Sequence, residues 1–520
     1  MSNSLVFNKG EGGTGTPLAG SDYISGLLFY SATLPSGFDS SNRIKVVYSV
    51  EDAEALGITD TSSDETKSTA TYLVTTKFAT GNTFKLTCAT IDSTNPLSAI
   101  NSLGTVTLCD YTADATAATD TTTSATAIAA AINARTYITG FTATSNTATL
   151  TITAVAGQGL FLNSGTPYVK TETGTIAGTL TQNVVAGVAS ELDIMHYHIS
   201  EYFRKQPKGK LYVGVYATAD ATTFASVTLM QNYASGEMRQ IGIYQKTTAF
   251  VASQLTTLQA VLTTLSTNKR PLQAVYQSEF STHTDLTDVT DYTNLHLLTC
   301  PNVTAVIAQD GAAQGFKLWK ATAKSIGSVG ACIGDVSFAS VQEDIAWIEK
   351  FNLSNGVEME VVAFANGQYF TALSTGTITN LDAYGYVFAI KEIDLNGTYW
   401  NDSHTATATN SDYRYIENNR AIDKAIRGMR AYLTPALGAN TYTNDDGTLE
   451  QATVSYFESL AQKFLDQMVA ARELSNAKAS IDASQNVVST STLTIVVQII
   501  KAGVARNIIV NIGYTTAITN

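Results

Sequence analysis

Residues 190–310 alternate between helix-type and strand-type patterns, and this alternation constrains the fold more than any other feature of the chain. The run ELDIMHYHISEYFRKQP has apolar residues at helical spacing, namely Leu192, Met195, Ile199 and Phe203. The apolar run KLYVGVYA follows as a buried strand, and further helix and strand patterns alternate as far as NVTAVIAQD. Strands that alternate with helices form βαβ units, so we predict an αβαβ core on a largely parallel sheet.

Two further helices are predicted after this core, over 316–334 (FKLWKATAKSIGSVGACIG) and 340–351 (SVQEDIAWIEKF), before strand patterns return near 361–390. Residues 85–185 have a different character. They are rich in Thr and Ala, with short alternating runs and one helix pattern at 124–136. A disordered linker is the alternative, but regular β-branched alternation favours a small β-rich module inserted into the core.

The C-terminal part begins with a predicted amphipathic helix, RYIENNRAIDKAIRGMRAYL. Its basic face carries Arg420, Lys424 and Arg427, three like charges on one stripe. Such a stripe is either a solvated helix surface or a contact for an acidic partner, and the residues alone leave both open. Pro435 ends this helix, and Thr448 with Gln451 has the spacing of a capping box at the start of the next.

Residues 492–516 (TLTIVVQIIKAGVARNIIVNIGYTT) form the most β-prone and least charged segment of the chain. Alternation predicts two strands, with Arg506 interrupting the second near Gly503. The predicted apolar faces are Leu493, Ile495, Val497 and Ile499, then Val504, Ile508, Val510 and Ile512. A hairpin of these strands would leave a long uncharged edge, which would promote aggregation in a free monomer.

Charge and length limit the classes of function. A chain of 520 residues predicts several domains, and a net charge of −13 argues against a nucleic-acid partner. Residues 411–520 hold ten basic and ten acidic side chains, so the negative excess lies in residues 1–410. The start MSNSLVFNKGEGG has neither a basic region nor an apolar run, so we expect no signal peptide and a soluble protein.

No motif in the sequence predicts catalysis, a cofactor or a metal. The segment GSVGACIG lacks the spacing of a dinucleotide loop, so close helix packing is the favoured interpretation. His196 and His198 lie two apart on a predicted helix and face different ways, which disfavours a shared metal. Asp445 and Asp446 fit a turn better than a calcium site, and the four cysteines lack the spacing of a metal or redox motif.

Several stretches resemble contractile phage tail sheath proteins, in particular the Mu-like and prophage-type branch. The succession YRYIENNRAIDKAIRGMRAYL, TVSYFESLAQKFLDQM and ELSNAKASIDASQNVVSTSTLTIVVQI, with the final ARNIIVNIGY, is similar to their C-terminal domain. HYHISEYFRKQPKGKLYVGVY resembles the entry to the sheath core, and ATAIAAAINA with ATLTITAVAGQG resembles an inserted variable domain. NVTAVIAQD, followed by KSIGSVGACIG and VQEDIAWIEKFNL, resembles the middle of the sheath core, and together all these stretches cover most of residues 20–515.

The resemblance implies an α/β and α+β multidomain fold. It has an αβαβ sheath core, an inserted β-rich domain and a C-terminal α+β domain that ends in exchanged β-strands. The expected divisions are an N-terminal arm (1–20), the core in two parts (21–84 and 186–375), the insert (85–185), the tube-facing C-terminal domain (376–503) and a C-terminal arm (504–520).

The implied function is structural, without enzymatic activity or cofactor. Copies of the chain would stack as a helical polymer around a tail tube and contract to drive the tube through a cell envelope. The expected partners are other copies, the tube protein, and the baseplate and tail-terminator proteins, without nucleic acid or a small-molecule ligand. The expected location is a virion tail or tail-like particle assembled in a bacterial cytoplasm.

The resemblance also assigns roles to residues. Arg420, Lys424 and Arg427 become candidates for tube contact. The candidates for strand exchange between copies are Leu5, Val6, Phe7, Leu493, Ile495, Val497, Ile499, Ile508, Ile509, Val510 and Ile512. Two alternatives remain, a non-contractile surface or adhesin-like protein with β modules, and an enzyme on a doubly wound sheet, which only the parallel-sheet pattern supports.

Overall fold

The computed structural model describes residues 21–91 and 104–514. The chain forms two compact units. The first comprises the described residues up to Phe338 together with Ile345–Arg414, and the second comprises Ala339–Asp344 together with the described residues from Tyr415. In these ranges, no helix combines the length and the hydropathy needed to cross a lipid bilayer.

The first unit begins with two strands and a short helix, continues through the inserted β module and then returns to the core. The opening elements are β1 (Ile24–Tyr30), β2 (Ile44–Val47) and α1 (Val50–Ala55). The module contains β3 (Thr69–Thr76), β4 (Thr83–Thr90), β5 (Gly104–Thr112), α2 (Thr121–Asn133), α3 (Thr136–Thr139), β6 (Thr142–Asn146), β7 (Thr149–Thr153), a 3-10 helix (Gly159–Asn163), β8 (Tyr168–Thr173) and β9 (Ala177–Val185).

The core resumes after the module with the alternation that the sequence predicts. Its elements are α4 (Glu191–Lys205), β10 (Lys210–Tyr216), α5 (Ala225–Tyr233), β11 (Gln240–Ala249), α6 (Ala252–Thr267), β12 (Gln273–Glu279), β13 (Thr299–Cys300), β14 (Val303–Ala305), β15 (Ala308–Asp310), α7 (Gln314–Thr322), α8 (Val329–Phe338), β16 (Val362–Phe364), α9 (Thr375–Ala383), β17 (Ala389–Ile390), β18 (Tyr399–Trp400) and β19 (Ala406–Thr407). Short 3-10 helices lie at Thr218–Thr222, Leu295–Leu297 and Phe370–Ala372.

A six-stranded sheet with the order β14-β12-β11-β1-β10-β2 forms the centre of this unit. All neighbouring pairs are parallel except β10 with β2, which is antiparallel. Every residue of β1 (ISGLLFY) is buried, as expected for a parallel strand covered on both faces. The prediction of a mixed α/β fold with a largely parallel sheet is confirmed.

Helices α4 and α8 pack closely over this sheet because α8 carries glycines on the contact. A Cβ atom on Gly330 would lie 2.2 Å from the carbonyl oxygen of His198, and one on Gly334 would lie 2.9 Å from that of Tyr202. The glycines of GSVGACIG therefore allow the backbones of two helices to approach, as the packing interpretation predicts.

The β module is a pair of sheets, β6-β7-β3-β9 and β5-β4-β8, around one hydrophobic core that runs from Ala70 to Ile176. Helix α2 begins at an Asp120–Thr123 capping box and buries Ile128 and Ile132. The module therefore includes β3 and the start of β4, which the predicted boundary at 85 excluded. The strand register places nine threonines on one face of the sheet β6-β7-β3-β9, and each of them is at least partly exposed. They lie at positions 69, 71, 142, 144, 149, 151, 153, 179 and 181.

Three local predictions differ from the structure. The helix over 316–334 is broken into α7 and α8 at Ala323 and Gly327, which have φ of +50° and +63°. Residues 340–351 form turns and not a helix. Residues 376–414, which were assigned to the C-terminal domain, belong to the first unit.

The second unit contains α10 (Ile416–Leu433), a 3-10 helix (Thr434–Ala436), α11 (Gln451–Ala470), β20 (Leu474–Ser480), α12 (Val487–Thr490) and β21 (Val496–Lys501). Helices α10 and α11 pack where Gly428 meets the ring of Phe464. The predicted capping box is absent, because Thr448 donates to Asp446 and the N-cap position of α11 is occupied by Glu450.

Candidate assembly interface in the C-terminal unit

The two-stranded sheet of β20 and β21 covers one side of the helix pair in the second unit. The strands are antiparallel, with Ala477 opposite Ile499 and Ala479 opposite Val497. Ile495, Val497 and Ile499 pack against the core formed with α10 and α11, and Leu493 packs against a neighbouring cluster. Alternation correctly predicts this face, and the intervening Val496, Gln498 and Ile500 are exposed.

Side chains of α11 occupy the outer edge of β20. The Gln462 amide donates to the carbonyl oxygen of Ala477 (3.0 Å) and accepts from the backbone N–H of Ala479 (2.8 Å). Two residues further along the edge, the Ile481 N–H donates to the Glu458 carboxylate (2.8 Å). These contacts supply the hydrogen bonds that another strand would otherwise make, so this edge is closed.

The same contacts determine which backbone groups point outward from β21. Ala477 and Ala479 direct their polar groups away from β21, so they form the non-hydrogen-bonded positions of the antiparallel ladder. Their partners Ile499 and Val497 must then direct their N–H and C=O groups away from β20. Among the described residues, β21 pairs only with β20, so these outward groups form an open edge.

Residues 502–514 extend beyond β21 and join no strand in the described part of the chain. We call them the C-terminal arm. The predicted second terminal strand is therefore not paired with the first, because β21 pairs with β20 instead. Ile508 is 80% exposed and Ile512 is 91% exposed, and the other exposed apolar residues of the arm are Val504, Ile509, Val510 and Tyr514.

Arg506 attaches the start of the arm to the second unit. Its Nη2 atom lies 2.7 Å from Glu417 Oε1 and 2.8 Å from Asp344 Oδ2, and both carboxylates are buried. The guanidinium also lies 3.5 Å above the ring of Tyr415. The sequence marks Arg506 as an interruption of an apolar pattern but does not reveal its partners, which are about 90 and 160 residues away in the chain.

The basic stripe of α10 requires a correction. Arg420 is only 4% exposed, and its guanidinium donates to the backbone carbonyls of Ala339 and Ser340. Lys424 is half-buried and forms an ion pair with Glu473. Arg427 is half-buried as well. Arg420 therefore stabilises the unit from within, and the three residues do not form one exposed stripe.

The other residues considered for chemistry have structural roles. His196 contacts Glu54, whereas His198 is fully buried, so the two histidines are separated as predicted. Asp446 accepts hydrogen bonds from Thr448 within a turn. No group of three His, Cys, Asp or Glu side chains among residues 21–91 and 104–514 is arranged to bind a metal ion. Leu5, Val6 and Phe7 lie outside the described residues.

Comparisons with known proteins bear on different parts of the chain. Residues 412–519 match the family model described as DUF2586, C-terminal domain, which begins close to the start of the second unit. A search of curated protein sequences finds no match.

Solved structures that the chain is similar to include contractile sheaths, the class that the sequence resembles. One is the helical sheath of the anti-feeding prophage in the contracted state, with 15% identity, a TM-score of 0.44 and coverage of 62% of this chain and 81% of that chain. Another is the baseplate of the same particle, with 12% identity, a TM-score of 0.42 and coverage of 62% of this chain and 80% of that chain. A third is the contracted PVC sheath complex of an extracellular contractile injection system, with 13% identity, a TM-score of 0.40 and coverage of 62% of this chain and 80% of that chain.

Proposed function

We propose that this protein is a structural subunit of a contractile tail sheath, which polymerises helically around a tail tube and contracts to drive that tube through a cell envelope. The observation that carries this proposal is the open edge of β21 followed by an exposed apolar arm. A chain with this arrangement is suited to join other copies of itself by strand addition. The sequence resemblance described above selects a sheath among such polymers.

Strand addition at β21 uses the outward backbone groups of Val497 and Ile499. Their two N–H and two C=O groups offer four hydrogen bonds, each with a net value of about 0.5–1.5 kcal/mol. We propose that Leu5, Val6 and Phe7 of a neighbouring copy supply the added strand beside β21. The arm residues Ile508, Ile509, Val510 and Ile512 would reach a further copy in the same manner.

Arg506 gives the arm a fixed starting point. Because its two carboxylate partners are buried, loss of the guanidinium would leave both of them without this charge. The arm therefore leaves its own unit at a defined place, which limits the directions in which it can reach a neighbour. Such a device lets the bodies of the subunits move while the strands that connect them remain paired.

Contact with the tube would rest on residues other than Arg420. Lys424 and Arg427 remain candidates because both side chains are partly exposed. Partly hydrated charge pairs contribute roughly 0–1 kcal/mol each, so such contacts can break when the sheath contracts. An Arg427→Glu variant should still polymerise but assemble less well on the tube.

A proline at position 497 tests the open edge. The N–H of Val497 points away from β20, so Val497→Pro removes a donor from the open edge and leaves the β20–β21 ladder intact. Electron microscopy of the purified wild-type protein should show hollow helical tubes, and Val497→Pro should yield far fewer. Val497→Ala is the matched control, because it loses similar packing but retains the N–H.

The proposal has two clear points of failure. If Val497→Pro forms tubes as readily as Val497→Ala, β21 is not the docking edge. Deletion of residues 507–520, which keeps Arg506 and its ion pairs with Glu417 and Asp344, should likewise abolish polymerisation while the far-ultraviolet circular dichroism stays close to that of the wild type. A truncated chain that still forms tubes would contradict the role of the arm.

A non-contractile surface protein is the second candidate, and the threonine face of the β module favours it. Threonine tolerates water and fits an extended strand, so this uncharged face suits a module displayed outward. In that case, electron microscopy would show single particles or flat arrays instead of tubes with a defined bore.

A further inference from the structure

A hairpin loop in the first unit joins β17 to β18. Its residues 391–396 are all exposed, and near its end lies the pair Asn396–Gly397. The sequence has two other Asn–Gly pairs, so one dipeptide occurs in three different surroundings. These other pairs are Asn355–Gly356 and Asn366–Gly367.

An Asn–Gly pair can modify itself without an enzyme. The glycine N–H gives its proton to hydroxide, and the nitrogen then attacks Cγ of the asparagine. The bond from Cγ to Nδ2 breaks, the departing nitrogen takes a proton from water and leaves as ammonia, and a five-membered cyclic imide remains. Water then opens the imide to aspartate or isoaspartate. Glycine favours the attack because it has no Cβ atom to hinder the approach.

Hydrogen bonds hold the pair Asn366–Gly367 in place. The N–H of Gly367 donates to the carbonyl oxygen of Phe364 (2.7 Å). The amide nitrogen of Asn366 donates to the carbonyl oxygen of His283 (2.8 Å) and to the side chain of Gln368 (2.9 Å). Its Oδ1 atom accepts from the N–H of Gln368 (3.0 Å). These bonds must break before the nitrogen of Gly367 can attack.

The pair Asn355–Gly356 is restrained to a smaller degree. The N–H of Gly356 donates to the carboxylate of Glu360 (2.8 Å). Oδ1 of Asn355 accepts from the N–H groups of Val357 (2.9 Å) and Glu358 (2.7 Å). The attacking N–H is therefore occupied in this pair as well.

The pair Asn396–Gly397 lacks such restraints. No described residue forms a hydrogen bond with the side-chain amide of Asn396 or with the N–H of Gly397. The backbone carbonyl oxygen of Asn396, in contrast, accepts a hydrogen bond from the hydroxyl of Tyr399 (2.6 Å). This oxygen and the N–H of Gly397 belong to one peptide group, so they share the negative charge that remains when the N–H loses its proton. The Tyr399 hydroxyl stabilises that charge and promotes the attack.

We infer that Asn396 is a site of self-modification, at which the nitrogen of Gly397 displaces ammonia and water opens the imide to aspartate or isoaspartate. Either product adds one negative charge to an exposed loop that already carries Glu392 and Asp394. Isoaspartate also adds a methylene group to the backbone just before β18. The inference concerns this loop of the first unit and does not depend on strand addition at β21.

Peptide mapping by mass spectrometry of the full chain tests this inference. The protein is incubated at pH 8.5 and 37 °C and digested at mildly acidic pH, and the conversion of amide to acid is followed at the three asparagines. Asn396 should convert first. Asn366 should convert roughly tenfold more slowly or less, because several hydrogen bonds must break there. In guanidinium chloride the three rates should converge, because the restraints are lost.

Tyr399→Phe separates the effect of the hydroxyl from the exposure of the loop. This variant should slow the conversion of Asn396 several-fold and leave that of Asn355, the internal control, unchanged. An Asn355 or Asn366 that converts as fast as Asn396 in the native wild-type protein would overturn the inference, and so would rates that differ equally in guanidinium chloride. Unchanged conversion of Asn396 in Tyr399→Phe would contradict the part assigned to the hydroxyl.

Discussion

His198 is expected to make the first unit sensitive to acid. Its ring is fully buried among aromatic side chains, with ring centroids 4.6 Å from Tyr244, 5.3 Å from Tyr197 and 6.1 Å from Phe29. Neither ring nitrogen makes a well-formed hydrogen bond with a described residue, and a weaker contact with the backbone of Ile326 gives only slight support to the charged ring. Burial therefore lowers the pKa of His198 from 6.5 to about 3, and the backbone of Ile326 opposes this only in part.

The magnitude follows from the two pKa values. The unfolded chain binds a proton at His198 below pH 6.5, whereas the folded chain does so only below about 3. The free energy of unfolding therefore falls as the pH drops between these values, at about 1.4 kcal/mol per pH unit once the unfolded state is protonated. From pH 7 to pH 5, His198 should cost about 2 kcal/mol of stability.

Urea unfolding at pH 7 and pH 5 provides the assay, followed by intrinsic fluorescence. His198→Phe removes the titrating ring and keeps an aromatic side chain in the aromatic cluster. The quantity to compare is the loss in unfolding free energy between the two pH values. This loss should be about 2 kcal/mol smaller in His198→Phe than in the wild type, whatever the variant does to stability at pH 7.

His196→Gln is the matched control. It removes a partly exposed histidine that lies two positions before His198 on the same helix. The control should retain the acid sensitivity of the wild type. Equal losses of unfolding free energy in the wild type and His198→Phe would refute the reasoning, because they would show that His198 does not contribute to the acid sensitivity.

Two further predictions concern packing and thiol chemistry. Gly428→Ala should destabilise the second unit by about 1–3 kcal/mol in thermal or urea unfolding, because the new Cβ atom would lie 2.0 Å from Phe464 Cε1; unchanged stability would show that the ring moves away freely. In the native protein at pH 8, iodoacetamide should modify none of the cysteines, whereas all should react in denaturant, as mass spectrometry would show. The four thiols, of Cys88, Cys109, Cys300 and Cys332, are all buried. Burial raises the pKa of each one, to about 12 for Cys109 and well above 9 for Cys332, so little reactive thiolate is present at pH 8.

The core could be predicted from the sequence because its signals are local. The helical spacing of 191–205 and the apolar runs of β10, β11 and β12 depend on neighbouring residues, and each element forms where the pattern indicates. The alternation of Leu493, Ile495, Val497 and Ile499 likewise predicts the face that packs on the core.

The failures have long-range causes. Residues 340–351 have an apolar spacing that suits a helix, but Asp344 pairs with Arg506 far along the chain, and the segment forms turns instead. Arg420 looks like part of a surface stripe until the carbonyls of Ala339 and Ser340 are seen to surround it. The closed edge of β20 could not be predicted either, because Gln462 shows no sign in the sequence of meeting Ala477 and Ala479.

The unequal edges of the terminal sheet explain how an aggregation-prone sequence can give ordered assembly. A two-stranded sheet with two open edges could add strands on both sides, and such growth has no defined end. In this unit Gln462 and Glu458 close one edge, so a single strand can be added, beside β21. Gln462→Ala should therefore leave the open edge intact but expose the edge of β20. We expect this variant to form irregular aggregates in addition to regular polymers, whereas Gln462→Glu, which retains an acceptor for the N–H of Ala479, should aggregate less. If light scattering shows equal aggregation in both variants and the wild type, closure of the β20 edge does not limit assembly.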